Sequence, residues 1–262
     1  MSRVAVVTGA ARGIGAATVR ALAADDWAVV AVDRCSDDAR LPYGLGTRAD
    51  LDAVVQASGG EERVAAMAAD AADEAQLRGA VALAEERFGG LDAVVVAAGV
   101  IAGGAPLWEV PREQEEAVLE VDLAAVLVAA RVGVPALLRR PQPREGRFLA
   151  VASTAATRGL PMLAAYCAAK AGVVGMVRAL AVELRGTGVT VNAVSPGSTD
   201  TLLLGESARL YALDSPTTFA RQQPLDRLIA PDEVARTLAW LAGPATGAIT
   251  GATVAVDGGL SL

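Results

Sequence analysis

Tyr166-Cys167-Ala168-Ala169-Lys170 sets a phenol and an ammonium four residues apart in a stretch with helical spacing, so both side chains share one face. An ammonium beside a phenol favours phenolate and lowers the tyrosine pKa, which suits the pair to give and take protons near neutral pH. Ser153 closes an apolar run thirteen residues earlier and offers a hydroxyl to hold a substrate oxygen. The chain contains no histidine, which removes triads built on a histidine base and histidine-ligated metal sites. Ser153, Tyr166 and Lys170 are the acid–base set that remains. A tyrosine and a lysine four apart form a common surface pair, so the weight of this motif comes from its companions.

The first companion is Thr8-Gly9-Ala10-Ala11-Arg12-Gly13-Ile14-Gly15, which follows an apolar run and opens a helix. Gly9, Gly13 and Gly15 permit a tight turn and close approach of a pyrophosphate, and the helix N-terminus supplies N–H donors and positive partial charge. Arg12 faces either phosphate or solvent. Asp33 ends the next apolar run, where a carboxylate accepts hydrogen bonds from both adenosine ribose hydroxyls and repels a 2′-phosphate. NAD is therefore expected over NADP, although the neighbouring Arg34 is a residue type that accommodates a 2′-phosphate.

These residues need a scaffold that brings them together. Continuous apolar runs at Val4–Thr8, Ala28–Asp33, Val64–Asp70, Ala93–Ala97, Phe148–Ser153, Thr190–Ser195 and Thr253–Val256 read as parallel strands covered on both faces. Helical spacing falls between them at Gly13–Asp25, Asp73–Phe88, Gln114–Arg139, Leu163–Arg185 and Pro231–Leu241. The alternation predicts an α/β Rossmann fold with one doubly wound parallel sheet of about seven strands, as a single domain over residues 1–262. Two segments exceed a simple connection: an insertion at about residues 35–62, where Thr47 to Asp50 resembles a capping box, and a loop at about residues 198–228.

Composition narrows the functional classes. The net charge is −7 and no basic cluster stands out, which argues against nucleic-acid binding. Cys35 and Cys167 lie far apart, so no disulfide framework or metal site is expected. The N-terminus lacks a signal-peptide layout, and the apolar stretch Ala93–Trp108 is too short and glycine-rich to span a membrane. A soluble, cytoplasmic protein without membrane attachment is expected.

Together the motifs resemble the short-chain dehydrogenase/reductase family over nearly the whole chain. The resemblance rests on Thr8–Gly15, Asp33, Asp70, Ser153, Tyr166, Lys170, Asn192 to Gly197 and Val256-Asp257-Gly258-Gly259. It implies that Tyr166 is the catalytic acid/base, that Ser153 positions the reacting oxygen, and that Lys170 binds the nicotinamide ribose and lowers the tyrosine pKa. It further implies that Asp70 and Ala71 contact the adenine and that Ala98 and Gly99 lie along the cofactor. Pro196 and Gly197 would wall the nicotinamide, with Thr199 and Thr201 reaching its carboxamide and the pyrophosphate. The sequence departs from the family twice. Val96-Ala97-Ala98-Gly99 stands where Asn-Asn-Ala-Gly is usual, so apolar packing must replace the asparagines. Asp122 stands where the family carries a catalytic asparagine, and its charge near Lys170 would pair with that lysine or alter the proton relay.

A narrower resemblance is to the subgroup linked to the redox carrier mycofactocin, which includes carveol-dehydrogenase-like proteins. Asp33-Arg34-Cys35, Leu41-Pro42-Tyr43, Thr47 to Leu51 and Ser195 to Thr201 carry it. It implies that the insertion covers the adenosine end, that NAD is retained, and that electrons leave through an external carrier. A loop starting at the ribose-binding carboxylate can slow escape as a lid does. The leucines at 202–204 and 210, with Tyr211 and Phe219, suggest an apolar pocket for a secondary alcohol or ketone. The alternatives are a 3-oxoacyl-carrier-protein-type reductase and a non-catalytic nicotinamide-binding sensor. The family resemblance also implies a homotetramer.

Overall fold

The computed structural model describes residues 2–262. Valine-rich runs form seven strands: β1 Val4–Thr8, β2 Ala28–Asp33, β3 Val64–Ala68, β4 Ala93–Val96, β5 Gly146–Val151, β6 Val189–Pro196 and β7 Thr253–Val256. They pair in parallel in the order β3-β2-β1-β4-β5-β6-β7, which is the doubly wound sheet expected from the apolar runs. Strand order reverses between β1 and β4, so a crevice opens at the carboxyl ends of these two strands. Thr8, Asp33 and Val96 all end strands on that side.

Helices cover both faces of the sheet. On one face α1 (Gly13–Ala24), α2 (Arg48–Ala57) and α8 (Pro231–Ala242) bury Val19, Leu22, Leu51, Val54 and Leu238 against Val7, Val29 and Val95. On the other, α3 (Glu74–Phe88), α5 (Ala125–Arg139) and α6 (Ala164–Glu183) bury Leu77, Val126, Leu137 and Val173 against Val6, Val30 and Val94. The expected capping box is present. The Thr47 side chain accepts from Asp50 N–H and the Asp50 carboxylate accepts from Thr47 N–H, so α2 starts within the insertion.

Two expectations need correction. Ala93–Trp108 is not the longest apolar stretch: the helical stretches Arg112–Arg139 and Ala164–Glu183 are long and apolar enough to cross a membrane by length and composition. Their apolar residues include Val126, Val132, Leu137, Val173 and Val177, which are buried against the sheet, so core packing accounts for much of that apolarity. The segment at 198–228 is also more regular than a loop. It contains α7 (Leu202–Leu210), capped by the Thr201 hydroxyl, and a 3₁₀ stretch, Pro216–Gln222.

One helical feature bears directly on the site. The helix α4 (Arg112–Leu119) runs into α5 through a π-helical turn, Glu120–Ala124. Such turns insert one residue into the helical repeat and often occur at functional sites. Asp122 sits in the middle of this one and is fully buried.

Candidate active site

A cleft of about 1100 Å³ runs along the carboxyl ends of the strands. Its glycine-turn end is built by β1, α1 and β2. Gly9 adopts a left-handed conformation, and a Cβ there would lie 2.6 Å from the Ala98 backbone, so only glycine lets the turn approach β4 this closely. The N-terminus of α1 has no side-chain cap, which leaves its first N–H groups directed at the cleft. Asp33 is oriented by its own backbone neighbours: Ala11 N–H donates to Oδ2 at 3.0 Å and Cys35 N–H to Oδ1 at 3.2 Å. An uncapped helix start facing a strand-end carboxylate fits the pyrophosphate and ribose of a dinucleotide.

Arg34 is engaged with carboxylates. It donates to Asp38 at 2.9 Å and lies 3.7 Å from Asp70. Asp70 also holds the Ala72 N–H, and Ala71 lines the cleft beside it. Gly46 packs over Asp33, where a Cβ would stand 3.0 Å from Oδ1. These contacts leave little room and no free guanidinium for a 2′-phosphate. Arg12 is set on the insertion, with its guanidinium donating to the Gly44 carbonyl at 2.8 Å.

Residues 34–47 thus form a strap across the cleft. Its far side is anchored by Arg40, which forks onto Asp38 and reaches Glu120 of the π turn at 2.5 Å. Tyr43 is anchored twice, since its hydroxyl accepts from Ile101 N–H at 2.8 Å and donates to Ile101 O at 3.0 Å. Tyr43 entered the sequence pattern only through a resemblance, and Arg40, Asp38 and Glu120 did not stand out in it. The dense charge pattern of Arg34, Asp37, Asp38 and Arg40 hinted at an ionic cluster, but a partner eighty residues away leaves no local signal.

Ser153, Tyr166 and Lys170 meet on the cleft wall between the strap and the segment after β6. Ser153 follows β5 and its hydroxyl accepts from Ala155 N–H, which fixes its rotamer. Tyr166 and Lys170 lie one turn apart on α6, with Nζ 5.6 Å from the phenol ring centre. Pro196, Gly197, Thr199 and Thr201 line the cleft opposite, and the Thr199 hydroxyl donates to Gly197 O. Ala97, Ala98 and Gly99 line it from the end of β4, while Val96 is buried in the core.

Asp122 does not line the cleft. Its carboxylate lies behind Lys170, 2.8 Å from Nζ, and accepts from Val100 N–H at 3.3 Å. Lys170 also donates to Val151 O at 3.2 Å. This pairing alters the expected tyrosine electrostatics. Burial pushes the Tyr166 phenol up, Lys170 pulls it down, and Asp122 pushes it up again, with a smaller downward contribution from the Ser153 hydroxyl. Lys170 thus lowers the tyrosine pKa as expected of the pair, while burial and Asp122 carry the net direction upward. Burial favours neutral Lys170, but Asp122 and Tyr166 more than reverse this and hold the lysine above its ordinary value.

The substrate end is walled by Ile101, Leu160, Leu163, Leu203, Tyr211 and Phe219, with Tyr211 and Phe219 stacked edge-to-face at 6.1 Å. The arginines lining the cleft, Arg12, Arg20 and Arg34, belong to the glycine-turn end, so Lys170 is the one cation lining the remainder among the described residues. Among the described residues no cluster of His, Cys, Asp and Glu suited to a metal ion occurs.

A dinucleotide cleft that ends in a tyrosine, a lysine and a serine defines a nicotinamide-dependent oxidoreductase acting on CH–OH groups. A family model described as enoyl-(acyl carrier protein) reductase matches residues 9–261. The chain is 39% identical over 260 residues to cis-4-hydroxycyclohexanecarboxylate dehydrogenase of Sinomonas cyclohexanicum, covering 98% of this chain and 96% of that one. Carveol dehydrogenase of Mycobacterium avium in complex with NAD superposes with a TM-score of 0.91 at 28% identity, covering 98% and 97%. A 3-ketoacyl-(acyl-carrier-protein) reductase of Brucella melitensis complexed with NADH superposes with a TM-score of 0.86 at 31% identity, covering 99% and 98%. The chain belongs to the short-chain dehydrogenase/reductase family, and its cofactor is NAD.

Proposed function

We propose that this enzyme interconverts a small apolar secondary alcohol and its ketone, with NAD held beneath the 34–47 strap and re-oxidised in place by an external carrier of the mycofactocin type. The observation that carries the reading is the convergence of Ser153, Tyr166 and Lys170 on an apolar pocket at one end of a cleft that the strap crosses at the other.

Bound NAD supplies the hydride acceptor at its nicotinamide; the protein supplies position and proton transfer. Ser153 holds the substrate oxygen, and the Tyr166 hydroxyl takes the alcohol proton in oxidation and returns it in reduction. Lys170 holds the nicotinamide ribose and biases the phenol, with Asp122 behind it. Gly9, Gly13, Ile14 and Gly15 receive the pyrophosphate, Asp33 the adenosine ribose, and Asp70 and Ala71 the adenine. Ala98, Gly99, Pro196, Gly197, Thr199 and Thr201 complete the cofactor wall, while Arg12 and Arg34 act by holding the strap over it. The scarcity of cations at the apolar end favours an uncharged ring alcohol over a carboxylate-bearing one. We further assign the chain as one cytoplasmic domain over residues 1–262 that assembles as a homotetramer.

The similarity to 3-ketoacyl-(acyl-carrier-protein) reductase keeps a carrier-bound substrate as a second reading. The strap and the net charge of −7 weigh against it, because an acidic surface repels an acidic carrier and its phosphopantetheine arm. The test is to purify the protein without added nucleotide, denature it and quantify NAD and NADH per chain. About one per chain surviving extensive dialysis is expected, with turnover on apolar alcohols sustained by an artificial electron acceptor. An empty protein that turns over freely with added NAD would overturn retention. Tyr166→Phe should keep the nucleotide and lose roughly 10²-fold or more of the turnover; unchanged turnover would remove the catalytic assignment.

A further inference from the structure

Asp122 stands where the family carries asparagine, and its surroundings are shaped for a charge. The π turn places it fully buried, with one carboxylate oxygen 2.8 Å from Lys170 Nζ and the other on Val100 N–H. Gly99 keeps the contact open: a Cβ there would stand 3.0 Å from the Asp122 oxygen and 3.7 Å from Nζ. Val121 and Ala125, on the same helical stretch, reach the cleft wall, whereas Asp122 does not. Its carboxylate therefore does not face the cleft, and its one charged contact is Lys170.

We propose that Asp122 is a positioning residue that keeps Lys170 charged while cancelling much of its field at Tyr166, so that the tyrosine works as a base at higher pH than it would with asparagine at 122. The inference rests on Tyr166 being the proton carrier of the proposed reaction. Opposite charges in contact in a poorly screened site present a dipole, not a net charge, to a third group. The titratable and charged groups around the phenol are few. Lys170 and Cys167 face it from α6, Ser153 from the end of β5, Asp122 from the π turn, and Tyr43 approaches Asp122 from the strap. Of these, Lys170 and Ser153 favour the phenolate, while Asp122 and Cys167 oppose it. The bound cofactor is common to any two variants compared and does not change the sign.

The experiment compares the wild-type holoenzyme with Asp122→Asn at matched NAD content. The chain has three tyrosines, so subtracting the matching Tyr166→Phe background isolates Tyr166 in an ultraviolet tyrosinate titration. The Tyr166 transition should fall by about one pH unit or more in Asp122→Asn. The low-pH limb of kcat/KM for alcohol oxidation should fall with it. A transition at the same or higher pH would overturn the proposal, including the case in which Lys170 sheds its proton once unpaired. If Asp122→Asn does not fold, Gly99→Ala at matched NAD content presses the carboxylate a few tenths of an ångström, loosens its contact with Lys170, and should shift the transition the same way, by less. Absence of alcohol turnover in wild type would instead defeat the functional reading, while the tyrosinate titration still tests the charge balance.

Discussion

At the scale of single residues, the buried Asp122–Lys170 pair makes a stability prediction that is independent of catalysis. Both side chains are almost wholly out of water, 0% and 4% exposed, so removing one partner strands the other charge in a poor solvent. Lys170→Met should lower unfolding stability by about 3–5 kcal/mol in the NAD-free protein, and adding Asp122→Asn should restore a substantial part. Denaturant unfolding of the two variants reads this directly; equal stabilities would mean that the carboxylate finds another partner. The sign for pH follows from the Asp122 carboxyl itself. Burial raises its pKa and Lys170 only partly offsets this, so the folded chain binds the proton ahead of the unfolded one, and this group favours folding at acid pH and costs stability as pH rises through its folded pKa. Much of the site was legible in sequence at this scale. Tyr166, Lys170, Ser153, Asp33 and the glycine turn were found from residue types and spacing, because each sits on an element whose period sets its direction. The direction of the tyrosine shift was not legible. It depends on a carboxylate forty-four residues away that meets Lys170 only through tertiary packing, and on burial, which spacing does not measure.

At the scale of elements, the strap and the π turn form one mechanical unit. Arg40 reaches Glu120 at one side of the turn, and Lys170 reaches Asp122 two residues on. The strap's inner anchor is robust to mild acid. The Arg40 fork holds the Asp38 carboxyl well below the usual carboxylate range, so its stabilising contribution is present above the unfolded pKa and is lost only as pH falls well below 4. The Arg40–Glu120 contact is more exposed, at 28% and 43%, and is therefore screened by salt. Arg40→Gln should speed NAD loss on dialysis several-fold, and Tyr43→Phe should do so as well by freeing the Ile101 backbone groups. High salt should act on wild type in the same direction as Arg40→Gln and add little to that variant. The measurement is nucleotide content per chain against dialysis time. Unchanged retention in both variants would show that the strap does not gate escape. The element map was mostly legible because valine runs and amphipathic periods alternate along the chain. The two elements that escaped, α7 and the π turn, lack such signals. The apolar residues of α7 face a ligand pocket and not the sheet, and a π turn is a single inserted residue with no compositional mark.

At the scale of the whole molecule, the apolar surface left uncovered argues for assembly. Trp108 is 84% exposed, and Leu107, Leu119 and Leu127 lie near it in sequence on the approach to α4 and along the α4–α5 stretch. Trp240 on α8 and Val182 on α6 are likewise exposed. Isolated apolar residues on a surface need no explanation, but Leu119 and Leu127 on the longest helical stretch, with Leu107 and Trp108 just before it, offer apolar surface for a contact between copies. For the proposed homotetramer, light scattering should report about four chains of 26.5 kDa each. Leu119→Arg with Leu127→Arg should divide the particle while leaving the NAD content per chain intact, since neither residue lines the cleft. A monomeric wild type would overturn the assembly. A variant that divides the particle and also empties it of NAD would show that the α4–α5 contact supports the π turn, and through Glu120 the strap, from outside.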